Sequence, residues 1–269
     1  SDSNYHMRRT ALLISVLFFA ACRRAPSPEP VSTEPIRQRP AWVQQGIVMA
    51  GHWEQLINLV RAGGGRADEA RIWREERTEA VARKLKEYGV TLVTTNFYKG
   101  GGIQTEREEM EAARRWTEIL HRHGIRVGGY VGGTMLYETF FLEEPDAVHW
   151  RQVNEWGAPV YYNSHQTYRY APCRNHPGYK AFVQKLLRIA VQDCKLDLIH
   201  FDQMGGWVEP YACRCQHCTN LFRQFLLRKY SPEMRMRRFG FTRLDGIIPP
   251  PFGVWNGPIR LPELLNPLM

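Results

Sequence analysis

The sequence lacks an apolar run long enough to form a permanent membrane-spanning helix, and it lacks internal repeats. Its stretch from Ala11 to Ala21 is shorter than the roughly 20 residues that a transmembrane helix needs. The Gly-rich segment Lys99 to Gly102 lacks the spacing, ending in Gly-Lys-Ser/Thr, that defines a phosphate-binding loop. Neither a repeat array nor a P-loop nucleotide enzyme is therefore indicated.

The central region lacks a marked excess of basic over acidic residues, although the net charge of the whole chain is +9. The excess lies in residues 1–40, with six Arg against three acids, and in Arg228 to Arg243, with six Lys/Arg against one acid. Nucleic-acid binding usually requires a basic stripe or patch along one face. We therefore expect no nucleic-acid partner, and we interpret Arg228 to Arg243 as a solvated helix end and loop.

The beginning of the chain has the pattern of an export signal. Two arginines precede the apolar stretch, and Cys22 follows it in a lipobox-like position. We interpret residues 1–22 as upstream residues with a lipoprotein signal peptide, 23–40 as a Pro-rich tether and 41–269 as the folded region. The expected product is an exported bacterial lipoprotein, anchored to the membrane through lipid on Cys22, in the periplasm or at the cell surface. The alternative is an ordinary cleaved signal in which Cys22 is incidental.

From residue 41 onward, short apolar runs alternate with amphipathic helical patterns. This order is typical of βα units around a parallel sheet. Thr105 is predicted to cap the second helix, and Tyr88 to lie on the inward face of the first. The predicted strands are Gly46–Ala50, Val90–Phe97, Ile125–Val131 and Leu196–Asp202, and the predicted helices are Glu75–Tyr88, Glu106–His123, Tyr179–Cys194 and one after Cys218.

Four strands are half of what a (β/α)₈ TIM barrel requires. The α/β region is therefore either a complete small α/β domain or about the first four βα units of such a barrel, truncated; we adopt the truncated barrel because the family resemblance given below implies it. The chain after Tyr230 is expected to be mostly irregular. The strand residues expected to be poorly covered on one side are Val48, Val93, Val127 and Ile199.

Three closely spaced cysteines, Cys213, Cys215 and Cys218, precede an amphipathic helix. This spacing suits a tetrahedral structural zinc site with a fourth ligand from elsewhere in the chain. His217 is an alternative candidate for that fourth ligand. In an exported protein, two disulfides are the alternative, and free thiols are another. Cys194, at the end of a predicted helix, is interpreted as a packing residue.

The order of features from Asp193 to Tyr230 resembles a known family. The segment contains, in this order, a strand ending in Phe201-Asp202, a loop, C-x-C-x-x-C, F-x-x-F-L and Lys-Tyr. This order resembles the zinc-bearing stretch of family 42 β-galactosidases. It is still more similar to that of hypothetical glycosyl-hydrolase-like TIM barrels related to α-L-fucosidases. The resemblance extends loosely back to Trp42. It implies a glycoside-hydrolase-like barrel, a carbohydrate substrate and Cys173 as the fourth zinc ligand.

The same resemblance implies a role for Asp202. In fucosidase-like barrels the aspartate ending the fourth strand is the nucleophile, whereas family 42 enzymes carry Asn-Glu there. This chain has Asp202-Gln203, so β-galactosidase activity is not implied. The alternative is that Asp202 only binds a sugar hydroxyl or a loop amide. No motif marks the second carboxylate, for which Glu54, Glu138 and Glu209 are available.

Aromatic and polar residues fall at the predicted strand ends and in the loops that follow. Sugar rings present C–H faces to aromatic planes, so we predict a carbohydrate cleft there, with the long insertion Gly132 to His176 as a lid or wall. His52 and His200 are interpreted as polar core residues. The alternative to a hydrolase is a non-catalytic, carbohydrate-binding surface lipoprotein on a degenerate barrel. The predicted substrate contacts are Trp53, Glu54, Asn96, Tyr98, Tyr130 and Trp207.

Overall fold

A computed structural model describes residues 39–61, 68–136, 139–162, 165–204 and 212–249. Within these ranges, no helix combines the length and apolar character needed to cross a membrane. Of the described residues, 39–46 belong to a separate unit, which contains the short helix α1 (Ala41–Gln44). Four predicted positions lie outside the described residues: Cys22, Glu138, Trp207 and Glu209.

Four parallel strands form the central sheet, and they lie side by side in their order along the chain. This arrangement confirms the predicted sequential parallel sheet, although the first strand begins later than expected. A separate antiparallel pair lies in the insertion between the third and fourth of these strands. The sheet strands are β1 (Met49–Trp53), β2 (Leu92–Tyr98), β3 (Arg126–Gly132) and β6 (Leu198–Asp202), and the pair is β4 (Met135–Leu136) and β5 (Arg169–Tyr170).

Helices connect the strands and cover one face of the sheet. Before β2 lie α2 (Leu56–Arg61), α3 (Glu69–Glu75) and α4 (Glu79–Glu87), and between β2 and β3 lies α5 (Arg107–Arg122). The insertion contains α6 (Phe140–Glu143) and a 3₁₀ turn (Pro145–Trp150). The remaining helices are α7 (Pro177–Arg188), which continues as a π-helical turn (Ile189–Asp193), α8 (Gln216–Lys229) and α9 (Pro232–Phe239).

The helix α9 corrects the expectation of mostly irregular structure after Tyr230. Ser231 caps its start by accepting a hydrogen bond from the backbone N–H of Met234, as serine at this position commonly does. Gly240, with φ of +81°, ends the helix in the left-handed conformation that glycine adopts most easily.

The main core lies between the sheet and the helices. Val93 and Val127 are fully buried there, beside Trp116 of α5, so the expectation that these valines are poorly covered was wrong. Alternate residues of a strand point to opposite faces, and both valines fall on the helix-covered face. Val48 precedes β1 and is 52% exposed.

Two local helix predictions were also wrong. Thr105 does not cap α5; its N–H and that of Gln104 instead donate to the carboxylate of Glu143, at 2.5 and 2.8 Å. An acid from the insertion thus satisfies the N–H groups ahead of the helix. Tyr88 is 69% exposed; it is the C-cap of α4, which ends at Glu87, and the left-handed Gly89 follows it.

At the amino ends of β3 and β6, Asp197 joins the two strands. Its Oδ2 accepts hydrogen bonds from the backbone N–H of Val127 at 2.9 Å and from Nε2 of His121 at 2.7 Å. Its Oδ1 accepts from Arg126 at 2.7 Å. These contacts fix β6 against β3 at the end of the sheet opposite Asp202.

Candidate active site and metal centre

The sheet face opposite the helices carries a row of polar and aromatic side chains. Tyr130 of β3 is in register with Asn96 of β2 and with His200 of β6, so their side chains point to the same face. The ring of Tyr130 contacts His52 on one side and His200 on the other, each with ring centroids 5.6 Å apart. Both histidines are exposed, so they line this open face and are not core residues, as the sequence interpretation had them.

Asp202 ends β6 with its carboxylate held on both oxygens. Oδ2 accepts from the hydroxyl of Tyr130 at 2.5 Å, and Oδ1 accepts from the backbone N–H of Gln203 at 2.9 Å and from its side-chain amide at 3.3 Å. Burial and the hydrogen bond to Asp202 raise the pKa of Tyr130. The phenol therefore stays protonated and remains a donor to the carboxylate.

Lys99 extends this group of contacts across β2 toward β1. Its Nζ lies 3.3 Å from Oε2 of Glu54 and 4.4 Å from the ring centroid of Tyr130. The other oxygen of Glu54 accepts from the backbone N–H of Gln55 at 2.8 Å. Glu54, Lys99, Tyr130 and Asp202 thus form a continuous series at the carboxyl ends of all four strands. Lys99 was not predicted, because its only signal in the sequence is its position directly after a strand.

Asn96 is the member of this layer whose bonding is incomplete. It is 2% exposed, and neither polar atom of its amide has a hydrogen-bond partner among the described residues. Buried amides are nearly always hydrogen-bonded in folded proteins. Asn96 is therefore a candidate for contacting a bound hydroxyl group.

Two predicted substrate contacts lie on the helix-covered face. The indole of Trp53 packs 5.8 Å from Trp116 and donates to the carbonyl of Glu76 at 3.2 Å, and the ring of Tyr98 packs 6.0 Å from Phe182. Each residue follows a register shift in its strand, which reverses the face that simple alternation predicts. The structure therefore does not bring them to Asp202.

The insertion reaches the same site through Tyr162. The side-chain amide of Gln203 donates to the hydroxyl of Tyr162 at 3.3 Å, beside its contact with Asp202. This residue was not predicted individually, because the segment around it has no periodic pattern. Through Tyr162, the insertion forms part of the wall around the carboxylate of Asp202.

The four predicted metal ligands lie close together in the structure. The sulfurs of Cys173, Cys213, Cys215 and Cys218 all lie within 4.8 Å of one another, with Cys173 3.4 Å from Cys215 and 3.5 Å from Cys218. All four are free cysteines, and these distances exceed the disulfide bond length of about 2.05 Å. A tetrahedral zinc–thiolate site places its sulfurs about 3.8 Å apart. The cluster is close enough to bind a metal ion, and its donor set suits zinc.

The surroundings favour the thiolate form of Cys215 and Cys218, whereas hydrogen bonds from the neighbouring thiols raise the pKa of Cys173, and the pKa of Cys213 is also raised. Cys215 is the N-cap of α8 and Cys218 lies in its first turn, where the helix dipole stabilises negative charge. Hydrogen bonding from Cys173 lowers the pKa of Cys218 to about 7, and Asn175 also donates to its sulfur at 3.3 Å. His217, the spare candidate, packs against the ring of His176.

Comparisons with known proteins add the following. No protein-family model and no curated protein matches the sequence. Among solved structures, the chain is similar to an α-galactosidase from Lactobacillus brevis, with 12% identity and a TM-score of 0.37 over 48% of this chain and 18% of that chain. It is also similar to a xylosidase from Aspergillus niger, with 11% identity and a TM-score of 0.40 over 66% of this chain and 23% of that chain.

A third similarity is to a hypothetical protein from Ruminiclostridium thermocellum, with 12% identity and a TM-score of 0.39 over 58% of this chain and 87% of that chain. Two of these three neighbours are glycoside hydrolases by name, and this chain spans only 18% and 23% of their lengths. Scores of this size describe a partial overlap of secondary structure and carry no argument about activity.

Proposed function

We propose that this protein is a glycoside hydrolase of poly- or oligosaccharides whose nucleophile is Asp202. The observation that carries the proposal is the setting of this carboxylate, which ends a parallel strand on the open face of the sheet. Donors from Tyr130 and Gln203 act on its two oxygens and fix its orientation. Ligands of α/β proteins bind at this edge of a parallel sheet.

The reaction would follow the retaining course, in two steps. Asp202 attacks the anomeric carbon and forms a covalent glycosyl ester while the glycosidic oxygen leaves with a proton from a second acid; water then hydrolyses the ester. Tyr130 holds the nucleophile in line through its hydroxyl. Asn96, whose amide can both donate and accept, lies one strand away from Tyr130 and two from Asp202, where it would bind a sugar hydroxyl.

The second candidate function is carbohydrate binding without hydrolysis, and the contacts of Glu54 favour it. Glu54 is the nearest described candidate for the acid, but its carboxylate pairs with the ammonium of Lys99. With one oxygen on an ammonium and the other on a backbone N–H, this carboxylate is placed to bind and orient a ligand, and neither oxygen is free to hold a proton for the leaving group. A hydrolase would therefore need its acid from elsewhere, such as Glu138 or Glu209, or from Glu54 after substrate displaces Lys99.

We also propose a structural role for zinc at the four cysteines. Four thiolates complete a tetrahedral shell and leave no position for water or substrate, so the ion would stabilise the segment around Cys173 and the start of α8. The N-terminal sequence supports export and lipid anchoring through Cys22. Metabolic labelling with radioactive palmitate, lost in Cys22→Ser, would test the anchor.

The test of the main proposal compares the full chain with Asp202→Asn on a panel of nitrophenyl glycosides and plant and bacterial oligosaccharides. We expect turnover to fall by about a thousandfold or more, with an unchanged circular dichroism spectrum and unchanged zinc content. Asp245→Asn, at a position whose side chain is 76% exposed, is the matched control. Full activity in Asp202→Asn would exclude the nucleophile, and oligosaccharide binding without turnover by the wild type would favour the second function.

A further inference from the structure

Arg174 lies between the cysteine cluster and the carboxyl ends of two strands. It directly follows Cys173, and its Nη1 donates to the carbonyl of Gly133 at 2.9 Å and to the hydroxyl of Tyr179 at 3.2 Å. Its Nη2 donates to the carbonyl of Gln203. Gly133 is the first residue after β3, and Gln203 is the first after β6. One guanidinium therefore joins the ends of neighbouring strands.

The backbone that Arg174 holds is the backbone that orients Asp202. Gln203 has φ of +58°, a left-handed conformation that is uncommon for residues other than glycine. Its N–H donates to Oδ1 of Asp202, while the N–H of Gly133 donates to the carbonyl of Asp202 at 2.8 Å. A strained conformation persists where its surroundings fix it from several sides, and Arg174 provides one of these constraints.

The two strand ends also approach each other too closely for a side chain at Gly133. A Cβ there would lie 2.8 Å from the carbonyl oxygen of Gln203 and 2.9 Å from that of Asp202. The carbonyls of Gly133 and Gln203 are thereby close enough to share a single guanidinium. A lysine, with its single nitrogen, lacks the planar fork that lets arginine donate in two directions at once.

We propose that Arg174 is a positioning residue that transmits metal binding at the four cysteines to the carboxylate of Asp202. With the metal bound, Cys173 is fixed, the guanidinium of Arg174 holds the carbonyl of Gln203, and the N–H of Gln203 holds Asp202. The catalytic consequence of this coupling rests on the function proposed above, whereas the coupling itself does not.

Removal of the metal should weaken the contacts that link Cys173 through Arg174 to Gln203, without unfolding the segment around Cys173. Cys173 is also held by backbone hydrogen bonds, with its N–H donating to the carbonyl of Trp150 at 2.6 Å and its carbonyl accepting from His176 at 3.0 Å. These bonds remain when the ion leaves. The effect should therefore appear as faster local opening at the strand ends while the sheet stays intact.

The test is a cycle of amide hydrogen exchange at Gly133 and Gln203. Wild type and Arg174→Met are each measured with zinc bound and after removal of zinc by a chelator, and zinc content is checked by mass spectrometry. We expect either change alone to raise exchange at both amides about tenfold, the size expected when a hydrogen bond from a charged donor is lost. Both changes together should add nothing further, because they break the same connection.

Arg188→Met, at an exposed position on α7, is the matched control and should leave both amides unchanged. Arg174→Lys keeps the charge and should give an intermediate increase, which keeps the test decisive if the Met variant folds poorly. Additive effects, or no response of the two amides to zinc removal, would overturn the proposal. These measurements need no substrate, so they stand whether or not Asp202 is the nucleophile. If it is, Arg174→Met with zinc bound should lower kcat more than it raises KM.

Discussion

The hydroxyl of Tyr130 donates a hydrogen bond of 2.5 Å to Oδ2 of Asp202, although the two residues are 72 positions apart in the chain. Tyr130 is in register with His200, two residues before Asp202 on the neighbouring strand. The hydroxyl of Tyr130 therefore extends along the sheet, past the level of His200, to the side chain two residues further toward the carboxyl end of β6. The orientation of the carboxylate depends on the register between β3 and β6.

Tyr130→Phe should distinguish the contribution of the Tyr130 hydroxyl from that of its ring. The ring can keep its contacts with His52, His200 and Lys99, while Asp202 loses one donor. We expect glycoside turnover to fall about 10- to 100-fold, the cost of removing one hydrogen bond to a charged group, with little change in the melting temperature. Steady-state kinetics on the best substrate of the wild type measure this. Tyr88→Phe, at an exposed position, is the control, and equal losses in both variants would contradict the prediction.

Metal content should depend on the cluster and not on cysteine in general. Cys215→Ser removes a thiolate ligand, so we expect zinc below one equivalent per chain and a lower melting temperature, because binding to the folded state stabilises it. Cys194→Ser is the matched control: Cys194 is buried away from the cluster, with its sulfur near the carbonyl of Met110, as its interpretation as a packing residue required. That variant should keep a full equivalent of zinc, and zinc loss in it would argue against the site.

Sequence patterns predicted what depends on periodicity and local spacing. The four strands and the inward face of α5 follow from apolar alternation and helical repeats, and three cysteines of the cluster share one short motif. Only the family resemblance identified Cys173. The faces of Trp53 and Tyr98 could not be predicted, because single register shifts reverse them.

Other parts of the site depend on contacts between distant segments. Lys99 reaches Glu54 and the Tyr130 ring from a glycine-rich loop, and no local pattern identifies such a contact. Tyr162 comes from the insertion, whose path over the sheet is set by tertiary packing. The same is true of Arg174, whose partners Gly133 and Gln203 are far from it in sequence.

Asp197→Asn should destabilise the protein in a pH-dependent way. Burial opposes the charge of Asp197, but the donors from Val127, His121 and Arg126 outweigh it and lower the pKa of this carboxyl below its ordinary 3.8. Its stabilisation is therefore complete above that pH and is lost as the pH falls through the lowered value. We expect the variant to lose about 1–3 kcal/mol at neutral pH.

Urea unfolding of wild type and Asp197→Asn at neutral pH and at acidic pH would measure this difference. The gap between the two proteins should shrink on acidification. Asp146→Asn, at an exposed position in the 3₁₀ turn, should show no such gap. A gap for Asp197→Asn that stays constant with pH would contradict the electrostatic explanation.

Glu106 should give the opposite pH dependence. It is 3% exposed and accepts hydrogen bonds from Gln55 and from the backbone of Lys99 and Gly101. Burial nevertheless raises its pKa from 4.5 to about 7. Its stabilisation is therefore complete below pH 4.5 and is lost as the pH rises through 7.

Glu106→Gln cannot ionise, so its unfolding free energy should lack this decline between about pH 4.5 and 8. It should be less stable than wild type at the acidic end, because an amide NH₂ cannot accept from the surrounding donors. Urea titrations across the range would show whether the two stability curves converge as the pH rises. Glu108→Gln, exposed in the first turn of α5, should follow the wild-type curve; parallel curves for Glu106→Gln would refute the assignment.

We expect the junction made by Asp197 to form late in folding. Its hydrogen bond to Val127 joins residues 70 positions apart, with the whole insertion and α7 between them. Closing so long a loop costs chain entropy before strand pairing compensates for it, so β1, β2 and β3 should associate early and β6 last. Asp202 and three of the four cysteines belong to this late segment. Asp202 and the cysteine cluster would therefore reach their final arrangement together, at the last step of folding.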